Sequence, residues 1–271
     1  MIVAGRYRIE RTLGVGGMGT VYLAKDERMG RQVALKFINP PQFWQSRELY
    51  LRFLREANVC LDLTHPNIIR VYHSDEWEGQ AYLVMEYLHG QTLRERLEQN
   101  KQQGKSFDWP LISAMMQQIL AAVGHAHAQG VIHRDLKPVN IMIARKKSGG
   151  WRAVVMDFGL AKPIEDKELT TSGVAMGTPH YMAPEQYGRG AVDHRADIYS
   201  LGVIAYVLLT GRLPVEHTPP RPSQLRTDLP DGVDAWVFKA LEDDPPQRFQ
   251  SAQEMREALR AMGAQPQQDF W

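Results

Sequence analysis

The sequence predicts an α+β protein of two lobes, a small β-rich one with one main helix and a larger helical one. Three observations carry that prediction. Up to residue 88, short β-branched and aromatic runs alternate with turn residues. One helical stretch interrupts them. Beyond His89 and Gly90, long segments take helical periodicity instead. A chain of 271 residues is long enough for one large domain or two lobes sharing an interface.

The strands are read in order at 7–13, 20–26, 32–38 and 81–88. The second follows a glycine cluster and the third a Gly-Arg turn. The interrupting helix is expected over about 46–63. It stops before "HPN", because a proline biases its predecessor away from the helical region. In the second lobe, Asp108 is a natural N-cap, Pro110 suits the first turn, and Gly130 marks the stop. Between them Leu111, Met115, Ile119, Ala122, Val123 and Ala126 recur at helical spacing. A second helix, about 196–210, is apolar nearly all round, which places it in the middle of a lobe, and it ends at Gly211. The expected division is an N-terminal lobe at 1–86, a hinge at 87–90, a C-terminal lobe at 91–262 and a linker-like tail at 263–271. From that tail the chain is expected to be one domain cut from, or copied within, something longer.

Charge excludes some partners. Lys and Arg number 32 against 31 Asp and Glu, so bulk electrostatics point to no nucleic acid and no membrane surface. Charge enters at Arg6 before any apolar stretch, so no secretory signal is expected. The most apolar run, "GVIAYVLL" at 202–209, is far shorter than the ~18 residues of a membrane span. Cys60 is the single cysteine, so no internal disulfide forms; this fits a reducing, cytoplasmic setting.

Chemistry concentrates in a few motifs. "GVGGMG" at 14–19 fits G-x-G-x-x-G, in which glycines let backbone N–H groups approach phosphate oxygens. A dinucleotide fold would need a helix after the glycines. Here a strand follows, which favours a hairpin lid over a nucleotide. Lys36 lies in the apolar strand "VALKF", where burial requires an anionic partner, and Glu56 on the interrupting helix is a candidate. "HRDLKPVN" at 133–140 packs two cations, a carboxylate, an imidazole and an amide into eight positions. His125 and His127 suggest a metal, but residues two apart on a helix point to different sides.

"GVGGMG", "VALK", Glu56, "HRDLKPVN", "DFG" at 157–159 and "APE" at 183–185 occur in that order. The chain therefore resembles the eukaryotic-like (Hanks-type) Ser/Thr protein kinases, in particular their bacterial members, over about residues 5–262. The resemblance implies the bilobal protein-kinase fold, ATP with Mg²⁺ (or Mn²⁺ in its place), and protein substrates carrying Ser or Thr acceptors. It implies that Asp135 accepts the proton of the acceptor hydroxyl and that Lys137 meets the γ-phosphate. Asn140 and Asp157 hold the metal. Lys36, tethered by Glu56, contacts the α- and β-phosphates. Leu13, Gly14, Gly16, Gly19, Val21 and Ala34 cover the nucleotide, Met142 lies beneath it and Met85 guards the back. The backbone of Glu86 and Leu88 meets the base edge.

Further roles follow from the same resemblance. His133 and Phe158 are packing elements behind the catalytic loop. Thr178 bonds Asp135 and Lys137. Asp197 caps the catalytic-loop backbone, and Glu185 pairs with Arg248. Arg134 beside Asp135 marks the type switched by loop phosphorylation; Thr170, Thr171 and Ser172 are the hydroxyls placed for it, with Arg134 and Lys162 as the phosphate clamp. Autophosphorylation in trans is expected at Thr170 or Thr171.

The chain departs from the family after Gly211. "RLPVEHTPPRPSQLRTDLPDG" carries five prolines, so an abbreviated or irregular segment is expected at 214–230. That shortening is the one feature favouring a pseudokinase, a nucleotide-binding scaffold, as the alternative. Intact Lys36, Asp135 and Asp157 oppose it. A small-molecule phosphotransferase of related fold fits less well, because "APE" and a long preceding loop are both present.

Overall fold

The computed structural model describes residues 1–16, 19–38, 62–158, 179–188, 191–214 and 218–263. The chain divides into two compact units, Met1–His89 and Gly90–Trp271. The predicted helix at 46–63, with Glu56 and Cys60, falls almost wholly outside the described residues. So do Lys162, Thr170, Thr171, Ser172, Thr178 and the tail beyond residue 263.

The first unit is an antiparallel sheet of β1 (Ile2–Val3), β2 (Tyr7–Gly16), β3 (Gly19–Asp26), β4 (Arg31–Ile38), β5 (Val71–Trp77) and β6 (Gln80–Glu86). Their order is β1-β2-β3-β4-β6-β5. Directly opposed residues share a face. One face collects Val3, Tyr7, Ala24, Val33, Leu35, Phe37, Tyr82 and Val84 into a core. Edge-to-face contacts such as Phe37 on Trp77, with centroids 6.1 Å apart, extend it. Pairing of Val21 with Lys36, Leu23 with Ala34, Ala34 with Met85 and Lys36 with Leu83 puts Val21, Ala34, Lys36 and Met85 on the other face. The β2–β3 hairpin depends on Gly19, whose φ is +143° and whose missing Cβ would collide with the Phe37 carbonyl. At the far end of the hairpin Arg6 grips Asp26 with bonds of 2.9 and 2.7 Å.

The second unit opens with β7 (Gly90–Thr92) and α1 (Leu93–Gln102), then α2 (Trp109–Ala128). Thr92 and Glu95 form a capping box at α1, and the Asp108 side chain accepts from the Leu111 N–H at 3.1 Å to cap α2. A second small sheet, ordered β7-β8-β9, follows from β8 (Ile141–Arg145) and β9 (Trp151–Val155). Sequence reading expected only helices here. Its strands are too short to show a period, and Gly90 pairs so closely with β8 that a Cβ would strike the Ile143 carbonyl.

α3 (Arg195–Thr210) is buried along nearly its whole length and ends at Gly211, with φ +69°. It packs on α2 and on α5 (Val233–Ala240), while α6 (Ala252–Ala261) covers α2. Among the described residues of the proline-rich stretch only the single turn α4 (Pro222–Leu225) is helical. Proline removes donors and fixes φ, so a longer helix does not propagate.

Candidate active site

The loop at 133–140 is held from three sides. Asp197, fully buried at the start of α3, accepts from the His133 N–H and the Arg134 N–H, each at 2.8 Å. The His127 ring nitrogen Nε2 lies 2.8 Å from the same carboxylate. Burial pushes the Asp197 carboxyl up. The hydrogen bond from His127, the nearby imidazoles and the loop N–H groups outweigh it and hold the group below the usual carboxylate range. Asp197 therefore meets two donors of the loop as a carboxylate.

His133 is buried and bonded at both ring nitrogens. Its Nε2 donates to the Met156 carbonyl at 2.8 Å, and its Nδ1 accepts the Asp135 N–H at 3.3 Å. Those partners fix the orientation of the ring, with hydrogen on Nε2. The ring lies 4.8 Å from the Phe158 ring. Gln186 closes the third side, donating to the Arg134 carbonyl at 3.0 Å. Arg134 takes φ +65° and Asp157 takes φ +60°, conformations that non-glycine residues hold only when surrounding bonds enforce them. Both lie at the ends of this hydrogen-bonded system.

Within the loop the functional groups converge. Lys137 Nζ stands 2.8 Å from both carboxylate oxygens of Asp135. Asn140 Nδ2 donates to the Asp135 carbonyl at 2.8 Å and to its Oδ2 at 3.2 Å. With Nδ2 committed, the Asn140 amide oxygen is directed elsewhere. The Asn140 carbonyl accepts the Met156 N–H at 2.8 Å, which ties the loop to the segment leading into Asp157. Asn140 and Asp157 thus offer hard oxygen donors of the kind that suits Mg²⁺. Arg134 Nε is buried without a partner among the described residues. Met142, in β8 opposite Thr92, sits half-buried near the start of the same strand system.

In the first unit Lys36 is 6 % exposed, on the sheet face shared with Val21, Ala34 and Met85. The Glu86 N–H donates to the Arg70 carbonyl at 2.9 Å. Leu88 is buried, while Leu13, Gly14 and Gly16 lie exposed along the β2 end of the hairpin.

A long anchor lies below the loop. Arg248, 1 % exposed, forks Glu185 at 2.7 and 2.8 Å and donates to the carbonyls of Arg195, Glu242 and Asp243. All five guanidinium N–H donors are satisfied. His127 and Gln186 were not singled out for these roles from the sequence. His127 does sit four residues after Val123, on the buried stripe of α2, and that spacing was the available signal. His125 instead contacts Gln129 at 2.8 Å.

A β-sheet unit followed by a helical unit, with this loop between α2 and β8, defines the protein-kinase class of fold. Residues 7–262 match the family model described as the protein kinase domain, and the chain belongs to that family. Among curated relatives it is 35% identical over 270 residues to the serine/threonine-protein kinase PknJ of Mycobacterium tuberculosis. It is 34% identical over 271 residues to PrkC of Bacillus subtilis and 37% over 287 residues to PknB of Mycobacterium leprae. These alignments take in 94%, 95% and 97% of this chain but 45%, 40% and 44% of the relatives, so the chain spans under half of their length. The crystal structure of the Mycobacterium tuberculosis PknI kinase domain superposes with a TM-score of 0.78 at 30% identity, over 97% of this chain and 98% of that one. The chain is thus a kinase domain of the bacterial serine/threonine type. The family uses ATP with a divalent metal and acts on proteins. Among the described residues no helix is long and apolar enough to cross a membrane.

Proposed function

We propose that this domain is an ATP- and Mg²⁺-dependent protein kinase that transfers the γ-phosphate of ATP to Ser and Thr hydroxyls. The observation that carries the reading is Asp135 held at once by Lys137 and Asn140 on a loop fixed by Asp197. Asp135 has one side chain neighbour that is cationic and one that is an amide donor, so its carboxylate is oriented before a substrate arrives. It accepts the proton of the acceptor hydroxyl as the oxygen attacks phosphorus in line with the departing ADP oxygen. Lys137 lies beside it, where its ammonium meets the transferred phosphoryl group. Asn140 and Asp157 hold the metal, which when bound neutralises charge on the phosphates. Lys36, with Glu56 as its tether, takes the α- and β-phosphates. Val21, Ala34, Met85 and Met142 line the adenine site, with the Glu86 and Leu88 backbone at the base edge.

Arg134, with Lys162, receives the phosphate added at Thr170 or Thr171 by a second copy of the chain. The buried Arg134 Nε, without a partner among the described residues, supports that part of the reading. Residues 87–90 act as the connector, and the reducing cytoplasm is the proposed setting. Labelled-ATP transfer to a protein acceptor tests the reading. The wild-type chain transfers label, and Asp135→Asn loses on the order of 10²–10³ in rate or more. Nucleotide binding with no transfer would instead establish the scaffold alternative. Mass spectrometry after ATP incubation reads the loop: unmodified Thr170 and Thr171 in an active enzyme would remove autophosphorylation.

A further inference from the structure

Beside the catalytic loop, inside the second unit, lies a groove of about 760 Å³ between α1, the 105–107 turn, residues 137–139 and the end of α3. Its cations are of two kinds. Some are already committed. Arg94 pairs with Glu98 at 2.9 Å, Lys137 pairs with Asp135, and Arg226 binds Asp228 and the carbonyls of Phe107 and Leu209. The others are Lys101, Lys105 and Arg212. All three are exposed, and no carboxylate pairs with them among the described residues. Among the described residues Glu98 is the one carboxylate on the wall, and it is already paired. Part of the wall is apolar. Val139, 36 % exposed, stands two residues past Lys137, and Leu225, 39 % exposed, belongs to the same groove. Tyr181 also lines it; burial pushes its hydroxyl up to about 12, so it adds no negative charge.

We propose that this groove selects protein substrates whose acceptor threonine follows an apolar residue and, before that, a cluster of acidic residues. The inference rests on the phosphotransfer reading above and specifies its substrate. Two features of the wall argue for it. A Lys-Lys-Arg set with no carboxylate partner among the described residues attracts carboxylates and repels the basic segments that would suit an acidic groove. An exposed apolar step beside Lys137 suits an apolar side chain next to the acceptor. The chain itself contains such a segment: Glu165, Asp166 and Glu168 precede Leu169, and Thr170 and Thr171 follow. A second copy of this chain is therefore a substrate of the selected kind, which links the groove to autophosphorylation in trans.

The test uses the full chain and peptides spanning residues 163–176. One carries the native sequence, one has Gln and one has Lys in place of Glu165, Asp166 and Glu168. The native peptide is expected to exceed the Lys peptide by on the order of tenfold in kcat/KM, mainly through KM, since several weak surface pairs add to roughly that factor. The advantage shrinks as NaCl rises, because exposed pairs are screened. The triple variant Lys101→Glu, Lys105→Glu, Arg212→Glu is expected to prefer the Lys peptide while keeping its kcat and melting temperature. Equal kcat/KM for all three peptides would overturn the groove's role and leave the kinase reading standing. No transfer to any peptide or protein acceptor would overturn both.

Discussion

Arg248 forks the Glu185 carboxylate through two parallel bonds of 2.7 and 2.8 Å, and its other three donors all end on main-chain carbonyls. The pair thereby ties the "APE" segment to the start of α3 and to the turn at 242–243. Truncation leaves the partly buried Glu185 carboxylate unpaired and removes a donor from each of three carbonyls. Arg248→Ala is expected to cost about 3–5 kcal/mol, read by chemical denaturation. Arg248→Lys should recover only part of this, because three donors on a flexible stem cannot replace a planar set of five. Equal stability of Lys and Arg at this position would show that the charge alone matters.

Asp197 serves two successive N–H groups of the 133–140 loop and the His127 ring with one carboxylate. In Asp197→Asn one oxygen becomes an NH₂ that must face a donor. At least one buried N–H then loses its acceptor, at about 1–3 kcal/mol. Hydrogen exchange at the His133 and Arg134 amides reads this directly. Both are expected to be slow in the wild type and markedly faster in the variant. Unchanged exchange would place the loop's anchorage elsewhere.

Acid should loosen both units through a small set of carboxylates. Asp26 is held below its usual range first by Arg6, against burial, with help from the N–H groups of Met29 and Arg28. Burial raises Glu185, and Arg248 more than reverses it. Asp197 behaves likewise with His127. For each, the folded pKa lies below the unfolded one, so the unfolded chain binds more protons between them. Stability is then fully present above the ordinary carboxylate range of about 4 and falls as pH drops through and below it. Melting temperature measured from neutral pH downward is expected to decline there. Asp26→Asn and Glu185→Gln should each flatten the decline while lowering stability at neutral pH.

Residues close together in sequence made the site legible. Asp135, Lys137 and Asn140 sit within six positions, so their chemical types alone suggested a shared task. Asp197 lies 62 residues beyond Asp135 and reaches the loop through the packing of α3; only the family resemblance pointed to it. His127 shows the limit of periodicity. It follows the buried Val123 by four residues in α2, but nothing in the sequence named Asp197 as its partner. In the fold, β4 and β6 were readable because their residues are apolar and bounded by turns. β5 was not, since "VYHSDEW" is a polar edge strand, and α1 was not, because "LRERLEQNKQ" has few apolar residues to mark a face. The small β7-β8-β9 sheet escaped because three to five residues cannot display a period of two against a background of loops.

Gly202, in the middle of α3, faces the end of α5 at a close helix-to-helix contact. A Cβ there would stand 2.8 Å from the Ala240 Cβ and 3.1 Å from a Leu241 methyl. Two effects compete in Gly202→Ala. Alanine gains about 1 kcal/mol over glycine in helix propensity, whereas overpacking a tight core costs about 1–3 kcal/mol. The Ala240 Cβ is fixed to the backbone of α5 and cannot rotate aside, so overpacking should win and the melting temperature should fall. Gly202→Val, with two more carbons in the same gap, should fall further. Pairing Gly202→Ala with Ala240→Gly removes the opposing atom, so the double variant should be more stable than the sum of the two single changes. A melting temperature raised by Gly202→Ala alone would mean that α3 and α5 move apart freely, and that α3 does not fix the position of Asp197 through this contact.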